Sequence, residues 1–263
     1  MSEKLIYCID MGNTRTHCSS VSYSDAMYKC LSTQEFSTQS FCEDFQKKSL
    51  FEKSGASAIS WCSVVPKVAD EFAKILSIES NIPQMRLSSE NSPIKIDCIN
   101  PEQVGQDRIA DAVGAGLFFE PPYIIVDMGT AVTIDLVDSN GVYAGGIIAP
   151  GMHAFTAYLS ERAAQLPLIN PADADFDKVI GKNTVEAMLI GCVKGFCKLA
   201  DGIIEDIEKS YFKNLKVGIS QRTVFTGGSV ELLPKKWLAD RKIESNLAQL
   251  GLAKSYILNE HNL

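Results

Sequence analysis

The chain carries one short pattern twice, and this repeat constrains its fold more than any other feature. The first copy reads Asp10-Met11-Gly12-Asn13-Thr14 and the second reads Asp127-Met128-Gly129-Thr130-Ala131. Each copy follows an apolar run of high β-propensity, and strand-like sequence follows each copy. The pattern therefore predicts a strand, a tight turn and a second strand, rather than the strand, loop and helix of a P-loop. Two such copies indicate two related lobes that face one ligand.

The turn in each copy has the composition of a phosphate cradle, because glycine lets the backbone approach a ligand closely. Asp10 and Asp127 stand beside these turns, and a carboxylate about 4 Å from a phosphate costs on the order of 4 kcal/mol at an effective dielectric near 20. A cation or a bridging water is therefore required between them. A phosphoryl-transfer site needs such a cation. Alternatively, each Asp only initiates a turn, but the matching positions of the two favour function.

Composition sets the broad class. The 263 residues, of which 46% are hydrophobic, suffice for one large or two medium domains. A net charge of −7 argues against a nucleic-acid-binding surface. No apolar run reaches the roughly 20 residues of a membrane helix, and no basic and apolar leader is seen, so we expect a cytoplasmic protein without a membrane partner. The eight cysteines are mostly isolated among apolar residues, which predicts reduced packing residues, the pair Cys192 and Cys197 included.

Strands and helices alternate along the chain, which indicates an α/β fold. The polar segment 32–40 has the composition of a loop, and an apolar strand at 58–65 is stopped by Pro66 and followed by a helix through Val68 and Phe72. A helix from Asp107 to Phe119 is followed by Glu120-Pro121-Pro122, which places the lobe boundary there and predicts lobes at 1–120 and 121–263. A long helix is expected at about 184–208, with Asn183 and Glu186 as a capping box. The strand Thr223–Phe225 then runs into Thr226-Gly227-Gly228.

A second set of candidate residues, Gly105-Gln106-Asp107-Arg108, opens the helix before the boundary. Asp107 is either the N-cap of that helix or the acceptor of a substrate hydroxyl proton. Arg108 would then hold a substrate carboxylate or phosphate. Thr184 also has two interpretations: it contacts the substrate, or it helps to cap its helix. The sequence favours the cap. His17 and His153 receive no catalytic role.

Taken together, these motifs resemble the type III pantothenate kinases of the acetate and sugar kinase, heat-shock ATPase and actin superfamily. The resemblance runs from about residue 5 to residue 230, and the order of the motifs makes it specific. The matching pieces are Asp10 to Thr14, Ser63-Val64-Val65-Pro66, Asn100-Pro101, Val104 to Arg108, Asp127 to Ala131, Gly145-Gly146, Pro150-Gly151, Gly181 to Thr184 and Thr226-Gly227-Gly228.

The resemblance implies two ribonuclease H-like (actin-like ATPase) lobes with a nucleotide cleft between them. It implies that Asp107 is the catalytic base, that Asp127 holds a monovalent cation (K⁺ or NH₄⁺), and that Asp10 contributes to binding Mg²⁺ with the phosphates. The implied ATP-binding residues are Asp10, Met11, Gly12, Asn13, Thr14, Arg15, Thr16, His17, Thr130, Gly227 and Gly228. The implied pantothenate-binding residues are Gly105, Gln106, Asp107, Arg108 and Thr184.

Two positions depart from the family pattern. Some relatives have Lys where this chain has His17, and some have Tyr where it has Cys98. The first departure removes a side-chain charge from the phosphates, and the second removes a substrate contact. The resemblance also implies a homodimer, for which the helix predicted at 151–166 is the candidate interface.

The expected function is ATP-dependent phosphorylation of pantothenate, the first step of coenzyme A biosynthesis. Another small-molecule kinase or a phosphohydrolase on the same fold is an alternative, since fold alone does not fix function. The set Gly105 to Arg108 suits a carboxylated alcohol better than a polyphosphate. A catalytically silent regulatory accessory protein is a third possibility, against which the joint presence of Asp10, Asp107 and Asp127 argues.

Overall fold

The computed structural model of the protein describes residues 3–78, 82–212 and 219–260. The residues pack as two units: the first runs to Phe118 and resumes at Asn246, and the second is Phe119–Ser245. The first crossing between units lies close to the Pro-Pro pair that marks the boundary in the sequence. The sequence pattern assigns all later residues to the second lobe, whereas the structure returns the C-terminal segment to the first unit. The physical reason is that its apolar side chains complete a core there.

The first unit contains a five-stranded sheet flanked by helices. Its strands, in the order β3-β2-β1-β4-β5, are antiparallel across β3, β2 and β1 and parallel across β1, β4 and β5. The elements up to the first crossing are β1 (Lys4–Met11), β2 (Arg15–Ser24), β3 (Met27–Ser37), α1 (Phe41–Lys47), α2 (Leu50–Ser54), β4 (Ala58–Ser63), α3 (Pro66–Ile78), β5 (Gln84–Arg86) and α4 (Gln106–Ala115).

The second unit contains another five-stranded sheet. Its elements are β6 (Tyr123–Met128), β7 (Ala131–Val137), β8 (Tyr143–Pro150), α5 (Met152–Arg162), α6 (Thr184–Met188), α7 (Gly195–Tyr211), β9 (Thr223–Thr226), α8 (Lys235–Leu238) and β10 (Lys242–Ile243). The helix α9 (Leu247–Asn259) follows and belongs to the first unit.

The two sheets share one topology, which confirms the prediction from the repeat. The second sheet has the order β8-β7-β6-β9-β10, and its strands are antiparallel and parallel at the same places as in the first sheet. Each repeat motif spans the end of the central strand and the turn into its antiparallel neighbour. Asp10 pairs with His17 across the first hairpin, and Asp127 pairs with Thr133 across the second. The strand, turn and strand predicted for each copy are therefore present.

Both faces of the first sheet are covered by apolar side chains, which explains why β1 reads as a continuous apolar run. One face packs into a cluster with aromatic residues from α1 and α3, including Phe41 and Phe72. The other face, with Ile6, packs into a cluster with residues of α4 and α9, such as Ile109 and Leu252. Burying one such side chain contributes roughly 1.5 to 3 kcal/mol. The second unit has its own cluster of buried residues.

Two expectations about local structure were wrong in detail. Segment 32–40 is not a loop, because β3 continues to Ser37 before a 3₁₀ turn at Thr38–Ser40. β3 lies at the edge of its sheet, where polar side chains can face water, so composition misled the assignment. The long helix of the second unit is interrupted between α6 and α7 by a π-helical segment, Leu189–Lys194.

The predicted cap of α6 is present in part. The Asn183 side chain accepts a hydrogen bond from the Glu186 N–H at 2.9 Å, as a helix N-cap does. The Glu186 carboxylate reaches back to the N–H of Lys182 rather than to that of Asn183.

The cysteines are reduced and mostly buried, as their apolar neighbours in the sequence predict. All eight cysteines are free thiols, and six of them are buried, including Cys192 and Cys197. Among the described residues, none of the helices has the length and apolar character to span a bilayer.

Candidate active site

The first turn, between β1 and β2, is braced by its own backbone and by Thr38. The Gly12 N–H donates to the Arg15 carbonyl at 3.0 Å, and the Thr38 hydroxyl donates to the Gly12 carbonyl at 2.8 Å. The Thr38 N–H donates to the carbonyl of Thr14 at 3.1 Å. The conformation of the turn is therefore fixed by a hydrogen bond within the turn and by two hydrogen bonds from Thr38. Sequence reasoning missed Thr38, which lies far from the motif in the chain and has no local signature.

The side chains predicted to contact ATP in this turn differ in exposure. Met11 and Thr16 are fully buried, and the Thr16 hydroxyl lies 3.0 Å from that of Thr38, so both side chains support the turn from inside. Asn13, Thr14 and Arg15 are exposed. The Arg15 guanidinium makes an ion pair with Glu35.

His17 stands where some relatives have a lysine. Its Nε2 atom lies 3.9 Å from the Glu35 carboxylate. Burial, followed by the nearby charge of Arg15, lowers the pKa of His17 below its ordinary value. The neutral form of the ring is therefore favoured, and His17 does not replace the charge of a lysine.

Asp10 ends its strand among other polar groups. The buried thiol of Cys62, on the adjacent strand β4, donates a hydrogen bond to Asp10 Oδ1 at 3.3 Å. The pKa of Asp10 is raised to about 7, first by removal from water and then by the negative charge of Asp107, while the Cys62 hydrogen bond opposes the rise. The hydrogen bond from the Ser63 N–H to the Gln106 side chain places the start of α4, which carries Asp107, against the end of β4, the strand that pairs with β1 at Asp10.

Asp107 lies in the first turn of α4, whose N-cap is Gly105. The reading of Asp107 as the N-cap is therefore wrong. Asp107 Oδ1 accepts the Arg108 N–H at 2.8 Å. A Cβ atom at position 105 would lie 2.5 Å from Asp107 Oδ1, so a larger residue there would require this carboxylate to shift from its present position.

Gln106 connects the start of α4 to the end of β4. Its side-chain carbonyl accepts the Ser63 N–H at 3.0 Å and lies 3.4 Å from Arg86 Nε. The first unit thus brings Asp10, Asp107 and Gln106 together around the end of β4. Cys62, Ser63 and Arg86 were not selected as site residues by sequence reasoning.

The second turn, between β6 and β7, repeats the first. The Gly129 N–H donates to the Ala131 carbonyl at 2.9 Å, and the Gly151 N–H donates to the Thr130 carbonyl at 3.1 Å. A Cβ atom at position 151 would lie 2.4 Å from the Gly129 carbonyl oxygen. Gly151 therefore allows the start of α5 to pack directly on this turn.

The segment Gly227-Gly228, which follows β9, packs against the second repeat motif at Asp127 and Met128. Gly227 has a φ of +92°, and a Cβ atom there would lie 2.2 Å from Asp127 Oδ1 and 2.6 Å from the Met128 backbone. The Ser229 N–H donates to the Met128 carbonyl at 2.8 Å. The second unit thus brings Asp127, Thr130 and Gly227 to one edge of its sheet.

Thr184 is the first residue of α6, and it is exposed. The cap of this helix is supplied by Asn183, so the helix start does not need the Thr184 hydroxyl. The cap reading that the sequence favours for Thr184 is therefore wrong.

Within the described residues, no group of three or more His, Cys, Asp or Glu side chains is arranged to hold a metal ion. Mg²⁺ in kinases is bound by one or two carboxylates and the phosphates of the substrate, so a single carboxylate at each turn, Asp10 or Asp127, fits that mode of binding.

Comparison with solved structures identifies the class of protein. A Campylobacter jejuni protein, provisionally described as a Baf family transcriptional activator, superposes with a TM-score of 0.63 at 21% identity, covering 98% of this chain and 100% of that one. An activator of 2-hydroxyisocaproyl-CoA dehydratase from Clostridium difficile, with bound ADPNP, gives a TM-score of 0.52 at 12% identity over 98% and 97% of the two chains. The fold is that of the actin-like ATPases.

The sequence comparisons narrow this class to one family. A sequence model of type III pantothenate kinase matches residues 6–206. The type III pantothenate kinase of Akkermansia muciniphila is 36% identical over 181 residues, which are 66% of this chain and 67% of that protein. The one from Sulfurihydrogenibium sp. is 28% identical over 270 residues, 98% of this chain and 100% of that protein. The chain belongs to the type III pantothenate kinase family.

Proposed function

We propose that the protein transfers the γ-phosphoryl group of ATP to the primary hydroxyl of pantothenate, the first step of coenzyme A biosynthesis, with Asp107 as the base. The observation that carries the assignment of the base is the contact between the start of α4, which carries Asp107, and the end of β4, the strand that pairs with β1 at Asp10. Asp10 ends the strand that leads into a phosphate turn, so a group at Asp107 lies next to the transferred phosphoryl group. Family membership supports the reaction and the substrate.

In this reaction the pantothenate hydroxyl oxygen forms a bond to the γ-phosphorus, and the bond from that phosphorus to the bridging oxygen of ADP breaks. The hydroxyl proton passes to Asp107. A helix N-terminus lowers the basicity of a carboxylate. This is acceptable because in a loose transition state the proton moves late and the base mainly orients the nucleophile.

The two turns would hold the phosphates. Asn13, Thr14 and Arg15 in the first turn and Thr130 in the second are the proposed ATP contacts, with Gly227 and Gly228 beside the nucleoside. Asp10 would bind Mg²⁺ together with the phosphates. Bound Mg²⁺ neutralises charge on the transferring oxygens.

Asp127 would hold a monovalent cation, K⁺ or NH₄⁺. The physical reason is the repulsion between this carboxylate and the nucleotide phosphates, which a cation relieves. The backbone carbonyls of the neighbouring turn are oxygen donors of the kind that such an ion prefers.

Arg108 is the proposed partner of the pantothenate carboxylate, since a guanidinium binds a carboxylate through two parallel hydrogen bonds. Gly105, Gln106 and Thr184 complete the proposed substrate contacts. We further propose a cytoplasmic homodimer. Ile148 on the edge strand β8 and Tyr158 on α5 are 64% and 61% exposed, and these apolar side chains fit a subunit interface around α5.

The substitution Asp107→Asn tests the base. The amide oxygen of Asn can still accept the Arg108 N–H, so stability is expected to change little. Loss of the base is expected to lower kcat by roughly 10²- to 10⁴-fold. The matched control is Asp70→Asn, on the exposed side of α3, which is expected to keep the wild-type rate. A near wild-type rate for Asp107→Asn would remove the assignment.

The measurement is ADP release with a panel of hydroxy acids. Release that depends on pantothenate supports the proposed kinase. Release without any acceptor would favour a phosphohydrolase, and no release with any acceptor would favour an accessory protein.

A further inference from the structure

The thiol of Cys62 is placed against the end of β1. Cys62 is fully buried on β4, and in the parallel register of the two strands it pairs with Asp10. Its S–H donates to Asp10 Oδ1 at 3.3 Å. Cys8, on the neighbouring strand, is also fully buried, but its thiol lies 3.9 Å from a backbone carbonyl two residues away. The contact with a site carboxylate is therefore a feature of Cys62 and not of every buried thiol in this sheet.

The residue after Cys62 contacts the other half of the site. The Ser63 N–H binds the side-chain carbonyl of Gln106, which precedes Asp107 in α4. The last two residues of β4 thus touch the strand that carries Asp10 and the helix that carries Asp107. The end of β4 therefore links the strand that carries Asp10 to the helix that carries Asp107.

The donor in the first contact is required by the surroundings of Asp10. The charge of Asp107 disfavours the ionised form of Asp10, and a hydrogen-bond donor to Asp10 favours that form. A carboxylate accepts hydrogen bonds only, and the thiol supplies a proton to one of its oxygens. The hydrogen bond is made to Oδ1 and restricts rotation of the carboxylate.

We infer that Cys62 is a positioning residue, whose thiol holds the Asp10 carboxylate in the orientation used for the phosphates. This inference rests on the proposed function. Cys62 does not touch substrate, and its effect passes through Asp10.

Paired substitutions separate this role from packing. Ser keeps a hydrogen-bond donor at position 62, whereas Ala does not. Packing alone favours Ala over Ser, because a hydroxyl is more costly to bury than a methyl group. Positioning reverses this order in activity, since only Ser can still bind Asp10. Thr and Val form a second pair of nearly equal shape in which only Thr has a donor, and both are favoured in strands.

The experiment measures kcat with pantothenate and, by calorimetry, the Kd of MgATP for wild type and the four variants. Cys62→Ala is expected to lower kcat by about tenfold, as loss of a hydrogen bond to a charged group does. Cys62→Ser is expected to recover most of that loss, and the Kd of MgATP is expected to follow the same order. Cys8→Ala is the matched control and is expected to keep both values.

If Cys62→Ala equals or exceeds Cys62→Ser in kcat and in affinity for MgATP, the inference is wrong. If the Ala and Ser variants do not fold, the Val and Thr variants decide instead. The inference is then wrong if Cys62→Val equals or exceeds Cys62→Thr in kcat and in affinity for MgATP. Absence of ADP release by the wild-type protein would instead refute the proposed function, and the calorimetric order of the variants would still decide the role of Cys62.

Discussion

The substitution Gly251→Ala is expected to destabilise the first unit, because α9 and α4 pack backbone against backbone. A Cβ atom at Gly251 would lie 1.8 Å from the Ala110 carbonyl oxygen, and one at Gly114 would lie 2.3 Å from the carbonyl oxygen of Leu247. Lys254 of α9 also donates to the carbonyl of Gly116 at 3.1 Å, just beyond the end of α4. The crossing therefore has no space for a methyl group.

The expected loss of stability follows from the 1.8 Å distance between a Cβ atom at position 251 and the Ala110 carbonyl oxygen. The helices would have to separate by more than 1 Å before the new Cβ atom reached 3.0 Å, the lower limit for real Cβ contacts. Overpacking of this kind costs typically about 1 to 3 kcal/mol and occasionally more. The better helix propensity of Ala returns up to about 1 kcal/mol. We expect a net loss of roughly 2 kcal/mol in the free energy of unfolding.

Urea unfolding followed by the fluorescence of Trp61 measures this loss, and a Trp237→Phe background restricts the signal to the first unit. The matched control is Gly202→Ala in α7, where a Cβ atom would meet nothing within 4 Å. The control is expected to gain up to about 1 kcal/mol, because Ala replaces Gly within a helix. An unchanged urea midpoint for Gly251→Ala would refute the packing argument. Asp107 lies in the first turn of α4, so displacement of this helix would move the proposed base. We therefore also expect kcat to fall in Gly251→Ala and not in the control.

Three further predictions concern the cation, the substrate and pH. Activity is expected to rise steeply with K⁺ or NH₄⁺ and much less with Na⁺, and Asp127→Asn is expected to blunt the response; equal rates in Na⁺ and K⁺ would remove the proposed cation site. Wild type is expected to phosphorylate pantothenate and to use a matched pantothenamide poorly, and Arg108→Lys should narrow the difference; equal use of acid and amide by wild type would rule out the role of Arg108. Glu208 is 8% exposed, and burial, followed by the charge of Glu205, raises its pKa to about 7. The folded state then holds this proton more tightly than the unfolded state, so this contribution to stability is lost as pH rises from about 4.5 to 7. Glu208→Gln is accordingly expected to stabilise the protein by up to about 3 kcal/mol at pH 8 and by little at pH 4.5; a gain that did not change between these pH values would contradict the assignment.

The sequence predicted the fold well where periodicity and local repeats carried the information. The two copies of the Asp-Met-Gly pattern predicted two hairpins of matching topology, because a strand followed by a glycine turn has a local signature. The C-terminal boundary of the second unit could not be predicted from local sequence patterns. Whether α9 packs on the first or the second sheet depends on complementary surfaces far away in sequence, such as Gly114 opposite Gly251.

The same limit applies to the site. Asp10 and Asp107 were selected from local motifs, and the structure brings the start of α4 and the end of β4, which pairs with β1 at Asp10, into contact. Thr38, Cys62 and Ser63 were missed because their contribution is a hydrogen bond to a residue distant in the chain. The N-cap at Gly105 was missed for a different reason: the helix begins one residue after it, at Gln106, and glycine is a less common N-cap than aspartate.

The discontinuity of the first unit has a consequence for folding during synthesis. Residues 119–245 are contiguous, so the second unit can fold as soon as they have left the ribosome. The first unit is synthesised earlier, but the part of its apolar face with Ile6 that α9 covers stays exposed until α9 has emerged. The half of the protein that carries Asp10 and Asp107 is therefore expected to complete its folding last. Until then, the exposed face is a surface for chaperones to bind and for proteases to attack.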